Sequence, residues 1–201
     1  MRWVIGLVAG VSLFGQSAGE WQKRGEDAFR AGKYAESVSA FDKVLAISPG
    51  YAAQHWQRGI SLYYAGRFKD CKEQFALHRT VNPEDVENAV FHMLCAARVE
   101  GFESARKNLI PIHEDHRPAM MLVHALFAGK STAAEVLEAA RKSGPTAMFY
   151  ASLYVGYYEE AAGRRAASRP YFQEAAKLAG PDYMGDTARV HWAALQGGKL
   201  P

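Results

Sequence analysis

The sequence lacks every short motif that would nominate an enzyme. It contains no G-x-S-x-G, no H-E-x-x-H and no glycine loop that could cradle a phosphate. Residues 104–107 match the S-x-x-K pattern of acyl-transferring serine enzymes, but the companion motifs are missing. The one metal-like cluster, at 113–116, pairs two histidines three residues apart without a third ligand, which favours an exposed connector between Pro111 and Pro118. We therefore expect no catalytic residue, no metal, no cofactor and no enzymatic activity.

The chain has only a small excess of positive over negative charge, and it has few cysteines. The net charge is +3 over 201 residues, with no basic stripe interleaved with aromatic residues, which argues against nucleic acid as a partner. The only cysteines are Cys71 and Cys95. They are either two small buried side chains or a disulfide, and sequence alone leaves both interpretations open.

The sequence has no apolar run long enough to span a bilayer as a helix. Its longest, 3–14, follows Arg2 and precedes the small and polar residues GQSAG, which is typical of a signal peptide. We predict a signal peptide over 1–18 and a periplasmic or secreted protein that does not insert stably into a membrane after cleavage. The alternative is a membrane tether formed by the same segment left uncleaved.

A regular sequence repeat organises the first part of the chain. Its period of about 34 residues is typical of stacked helix–turn–helix units, which build surfaces for binding rather than catalytic clefts. Five residues and their partners one period later define it: Gly25, Gly32, Tyr34, Phe41 and Pro49, then Gly59, Gly66, Phe68, Phe75 and Pro83.

The whole pattern predicts an all-α superhelix of about five helical hairpins and a C-terminal capping helix. A single domain is expected over 19–196, with a disordered tail at 197–201. Its predicted units are regular repeats at 18–51 and 52–85, degenerate hairpins at 86–111 and 116–144, a repeat at 147–181 and a cap at 183–195.

These residues resemble the tetratricopeptide repeat (TPR) family. Its slots are also nearly matched in the last repeat, by Gly156, Gly163, Ser168, Phe172, Ala175 and Pro181. The order of units is similar to that of the NlpI-type envelope lipoproteins, through NPEDVENAV, LVHALFAGKSTAAEVLEAA, LYVGYYEEAAGR and YMGDTARVHWA. That resemblance implies an adaptor that gathers peptidoglycan hydrolases and presents one to a periplasmic protease, often as a homodimer. The chain lacks the family's lipobox cysteine.

The first helix of each unit is expected to line a concave groove. Trp56 lies one residue beyond the slot of Trp21, so His55 should take the packing position while Trp56 turns towards the groove. A groove with aromatic residues and arginine at its edges has the composition of a site for a peptide or a partner helix. The predicted binding residues are Phe29, Arg30, Trp56, Ile60, Tyr63, Tyr64, Leu94 and Arg98.

The sequence therefore predicts a non-catalytic extracytoplasmic adaptor that binds a protein or peptide partner in this groove, an envelope hydrolase or protease among them. Three alternatives remain open. The repeats can serve mainly for homo-oligomerisation or assembly of an envelope complex, or the groove can be filled by the chain's own loops or terminal helix. The third is an enzyme or metal protein that uses the cluster from His113 to His116.

Overall fold

Every regular element between residues 16 and 198, the range that the computed structural model describes, is helical. Most of the predicted signal peptide and residues 199–201 lie outside this range. The prediction of an all-α superhelix of helical hairpins is confirmed. The α-helices are α1 (Ala18–Arg30), α2 (Tyr34–Ile47), α3 (Trp56–Tyr64), α4 (Phe68–His78), α5 (Val86–Glu100), α6 (Phe102–Lys107), α7 (Met120–Phe127), α8 (Ala133–Ser143), α9 (Pro145–Ala161), α10 (Arg165–Leu178) and α11 (Tyr183–Gly197), and a 3₁₀ helix covers Pro49–Gln54.

The ends of the first helices follow from local sequence. Ser17 caps α1 in a capping box with Glu20, which satisfies free amides of the first turn. A cut after residue 18, at the predicted end of the signal peptide, would remove this cap. Gly32 and Gly66 follow α1 and α3 with φ of 71° and 72°, a left-handed conformation that glycine adopts without steric cost. The same turn thus recurs at the same slot of the next repeat.

Each regular hairpin is closed by a glycine that faces a phenylalanine sixteen residues later. At Gly25 a Cβ atom would lie 2.4 Å from the ring of Phe41, so only glycine lets α1 and α2 approach this closely. Gly59 meets Phe75 in the same way at 2.7 Å, and the helices α9 and α10 repeat the contact at 3.0 Å. Three hairpins therefore share one packing device, which makes the fold a TPR-like helical repeat.

The middle of the chain departs from this device. Helix α6 has only six residues, and an irregular connector, 108–119, joins it to α7. Arg117 fastens this connector to the start of α5, because its Nη2 donates to Asp85 and to Asp115 at 2.6 Å each. None of the helices between residues 16 and 198 combines the length and the apolar character that crossing a bilayer requires.

Candidate functional site

The chain's own terminal helix fills the predicted concave groove. The ring of Tyr183, at the start of α11, stacks on Phe29 of α1 with centroids 5.0 Å apart. One turn later, Asp186 accepts a hydrogen bond of 2.6 Å from Arg30 Nε. The first and the last helix of the described residues are thereby packed together, and of the two interpretations of the groove given above, open or filled by the chain itself, the structure has the filled groove.

A buried chain of polar groups holds α11 in place. Tyr64 Oη lies 2.8 Å from both Tyr157 Oη and His191 Nδ1, and His191 Nε2 lies 3.3 Å from Glu160. Burial lowers the pKa of His191, so the ring is neutral and carries one proton. With that proton on Nε2 facing Glu160, Nδ1 accepts from Tyr64, and Tyr64 in turn accepts from Tyr157. Helices α3, α9 and α11 are thus joined by one directional series.

Five of the eight predicted binding residues are buried core residues, so their prediction as an accessible groove surface is wrong. They are Phe29, Ile60, Tyr63, Tyr64 and Leu94, each of which exposes 3% of its surface or less. The reason is tertiary: rings from α5, α9 and α11 pack on the face that the repeat pattern leaves open. Tyr63, for example, contacts Phe91 of α5 edge-on, at 6.5 Å.

The two predicted arginines lie outside any shared site. Arg30 is bound to Asp27 and Asp186 at the junction of α1 with α11. Arg98 stacks over Phe68, with its Cζ atom 4.7 Å from the ring centroid. Neither borders the cavity described next, so the structure separates them from Trp56 and Ile60, which do.

Trp56 and Ile60 border a cavity of about 340 Å³, which we call the Trp56 cavity. It lies between α3, α4, α5, α9 and the first turn of α11. Trp56 is partly buried and meets Tyr183 edge-on at 5.4 Å, with the ring planes at 88°. The apolar walls of the cavity include Trp56, Ile60, Phe91, Tyr150, Tyr183 and Met184.

The amide of Asn88 in the wall of the Trp56 cavity has no hydrogen-bond partner in the described part of the chain. The residue is 1% exposed, and both its Oδ1 and its Nδ2 are buried and unpaired. A buried amide without partners costs about 1–3 kcal/mol per group, so such atoms usually have a ligand, a water or a functional role.

The carboxyl of Glu87 also lies in this wall. Burial raises the pKa of its carboxyl to about 7, with Asp85 acting in the same direction and Arg117 against it. Tyr154 and Arg117 both donate hydrogen bonds to Glu87. The carboxyl is therefore bound from two sides and exchanges its proton near neutral pH.

An acidic depression adjoins the Trp56 cavity and shares Asn82 and Asp85 with it. We call it the acidic channel. Its walls hold four carboxylates against one guanidinium, so its net charge is −3 with histidine neutral. These charged residues are Glu84, Asp85, Glu114, Asp115 and Arg117.

Cys71 and Cys95 form a disulfide between α4 and α5, with Cα atoms 5.9 Å apart. Cys71 occupies the slot that Ser37 has in the first repeat, where the Ser37 Oγ donates to the carbonyl of Gly25 at 2.8 Å. The slot for a small buried residue in the second repeat is therefore used for a covalent link to the third hairpin.

The metal-like cluster of the sequence is an exposed connector. His113 Nδ1 lies 3.1 Å from Glu84 Oε1, and His116 Nδ1 lies 3.5 Å from Glu114. Across residues 16–198, no three histidine, cysteine or acidic side chains are grouped so that they could hold a metal ion.

Sequence reasoning missed Asn88, Tyr150 and Asp182 of the Trp56 cavity. Asn88 carried a signal, because it lies three residues before the buried Phe91 on the same face of α5. Tyr150 and Asp182 reach the cavity only through the return of the C-terminal helices, which no local pattern announces.

No protein-family model matches the chain. Among solved structures, the structure of this chain is similar to the crystal structure of the MamA protein, with 16% sequence identity, a TM-score of 0.42, and coverage of 80% of this chain and 91% of the other. We therefore base the description of the fold on the helix packing given above.

Proposed function

We propose that this protein is a non-catalytic scaffold that binds a segment of a partner protein at the Trp56 cavity. The observation that carries the proposal is the cavity itself, in which aromatic walls lie next to an unpaired buried amide. Aromatic side chains that converge on a concave pocket are typical of interaction hot spots. The binding site proposed from sequence for the whole groove is thereby narrowed to this cavity.

We further propose an extracytoplasmic location, either periplasmic or secreted. Two features support it: the signal-peptide pattern of the first residues and the disulfide between Cys71 and Cys95. Disulfides persist in oxidising compartments and are rare in the cytosol. An envelope adaptor of the NlpI type, with a hydrolase or protease as partner, is the finer form of this proposal. A tether formed by the uncleaved N-terminal segment is its alternative.

Photo-crosslinking in the native host tests the proposed site. A photoreactive phenylalanine analogue replaces Asn82, which is exposed and borders the cavity, and in a second strain it replaces the exposed Gln173 of α10. We expect a defined protein adduct from position 82 alone. Trp56→Ala should weaken that adduct, whereas Trp192→Ala should not, since Trp192 is likewise partly buried against the core but lies outside the cavity.

Two results would contradict the proposal. One is the same adduct from positions 82 and 173. The other is an adduct at position 82 that Trp56→Ala leaves unchanged.

Two exposed apolar side chains at equivalent positions of successive repeats favour self-assembly as a second candidate function. Ile47 and Val81 occupy the same slot of successive repeats and are 50% and 47% exposed. Sedimentation velocity at high micromolar concentration tests this function, with Ile47→Glu/Val81→Glu as the comparison. A dimer that the double variant abolishes would support it, and a strict monomer would refute it.

A further inference from the structure

The Trp56 cavity is sized for a side chain rather than for a helix. Its volume of about 340 Å³ is at the lower end of the range for ligand pockets, roughly 300–1,000 Å³. A helix is about 10–12 Å across with its side chains, and the groove that would have held one is already occupied by α11. What fits the remaining space is one or two large apolar groups projecting from a partner.

Asn88 indicates what accompanies that apolar group. A carboxamide donates through Nδ2 and accepts through Oδ1, so it can pair with the C=O and the N–H of a peptide unit at the same time. Both atoms of Asn88 are buried and unpaired in the wall of the cavity. An extended backbone would supply both partners that the described part of the chain does not.

The acidic channel indicates the charge of the neighbouring residues. Since Asp85 belongs to both depressions, the channel begins where the apolar cavity ends. One step along an extended chain covers about 3.3–3.6 Å, so the residues one or two positions from the apolar anchor reach the channel. Asp182, at the first turn of α11, adds a further carboxylate to the cavity wall.

The positive charge within the channel is already committed. Arg117 binds Asp85, Asp115 and Glu87. Glu84 and Glu114 are 44% and 70% exposed, and among the described residues their only salt-bridge partners are the histidines at 113 and 116. At neutral pH a surplus of carboxylates therefore faces whatever enters.

We propose that the Trp56 cavity and the acidic channel together recognise an extended segment of a partner protein in which a large apolar residue is flanked by lysine or arginine. The inference rests on the proposed function and adds the chemical class of the partner segment. The apolar side chain enters the cavity, its backbone amide pairs with Asn88, and the basic side chains lie along the channel.

A display selection on the purified protein tests the inference without knowledge of the partner. A randomised library of twelve-residue peptides is selected in parallel on wild type, on Trp56→Ala and on Trp192→Ala. We expect sequences with Phe, Trp, Tyr, Leu or Met within two positions of Lys or Arg on wild type and Trp192→Ala, and their loss on Trp56→Ala.

Synthetic peptides capped at both ends then measure how much the basic residues of the peptide contribute to its affinity for the protein. Replacing the basic residues of a selected peptide by glutamate should abolish binding. Glu84→Gln/Glu114→Gln should weaken the original peptide by about three- to tenfold at low salt, whereas Glu36→Gln/Glu138→Gln, which removes two exposed carboxylates elsewhere, should not.

The outcomes separate the inference from the function on which it rests. The inference is overturned if the enriched sequences lack basic residues, or if the glutamate-substituted peptide binds the protein as well as the original peptide does. In either case an adduct at position 82 would still support the scaffold function. No enrichment on wild type also overturns the inference. Enrichment that Trp56→Ala leaves unchanged overturns both.

Discussion

The contact between Gly25 and Phe41 gives a quantitative test of the repeat packing. In Gly25→Ala the new methyl group would lie 2.4 Å from Cε1 and 2.6 Å from Cδ1 of the fully buried Phe41 ring. Carbon atoms prefer about 3.5–4.0 Å, so the helices must separate by about 1 Å. Overpacking of this kind costs about 1–3 kcal/mol, and the helix propensity of alanine offsets about 1 kcal/mol. The difference is about 0–2 kcal/mol, and because the 2.4 Å contact is severe we expect the free energy of unfolding to fall by an amount near the upper end of that range.

The same substitution elsewhere in the chain should have graded effects. At Gly156 the methyl group would lie 3.0 Å from the ring of Phe172, which is a smaller overlap. Gly156→Ala should therefore leave the free energy of unfolding nearly unchanged. Gly19 has an open surrounding in the first turn of α1, so Gly19→Ala should stabilise slightly. Urea unfolding followed by circular dichroism measures all three.

A double-mutant cycle with Phe41→Leu identifies the cause in Gly25→Ala. The smaller and more flexible leucine should remove most of the penalty, which gives a coupling of about 1 kcal/mol or more between the two positions. If Gly25→Ala stabilises the protein as Gly19→Ala does, or if the cycle shows no coupling, the account of hairpin closure is wrong.

Three further predictions concern the buried polar groups and the covalent and terminal links. Burial lowers the pKa of His55 from 6.5 to about 4. The resulting contribution to the free energy of unfolding, about 3 kcal/mol, is therefore fully present above pH 6.5 and is lost as the pH falls through 4. In His55→Phe, chemical unfolding measured between pH 7 and pH 4 should no longer show this part of the acid sensitivity. Reduction of the disulfide between Cys71 and Cys95, which closes a loop of about 24 residues, should lower the unfolding free energy by about 3 kcal/mol, and Cys71→Ala/Cys95→Ala should be insensitive to reductant. Deletion of 183–197 should expose the groove, raise the fluorescence of a hydrophobic dye and lower the thermal midpoint by at least about 10 °C, and a normal midpoint would contradict the role of α11.

The repeat fold could be predicted from sequence because its key contacts are local. Gly25 and Phe41 are sixteen residues apart, and the same pattern returns in the next repeat. The one-residue offset at Trp56 was also readable: His55 takes the packing slot, 4.6 Å from the ring of Phe41, and Trp56 turns to the cavity. Local periodicity thus identifies which side chains pack within a hairpin and which one is left over.

The closure of the groove could not be predicted in this way. Tyr64 and His191 are 127 residues apart, and each lies in a helix whose own pattern is satisfied without the other. A stack of helical hairpins predicts an open concave face, and on that basis the rings of Phe29 and Tyr64 are expected to be accessible to a partner. Only the tertiary return of α11 decides that they belong to the core, and for this reason we place the proposed binding surface at the Trp56 cavity.

The central claim is that a partner segment enters the Trp56 cavity while α11 stays in the groove. Hydrogen–deuterium exchange on the full chain, with and without a peptide from the selection, tests it most directly. We predict slower exchange in 56–60 and 82–91 and unchanged exchange in 186–197, the part of α11 that lies beyond the cavity wall. Faster exchange in 183–197 on peptide addition would contradict the account, because it would mean that the peptide displaces the terminal helix and binds in the groove itself.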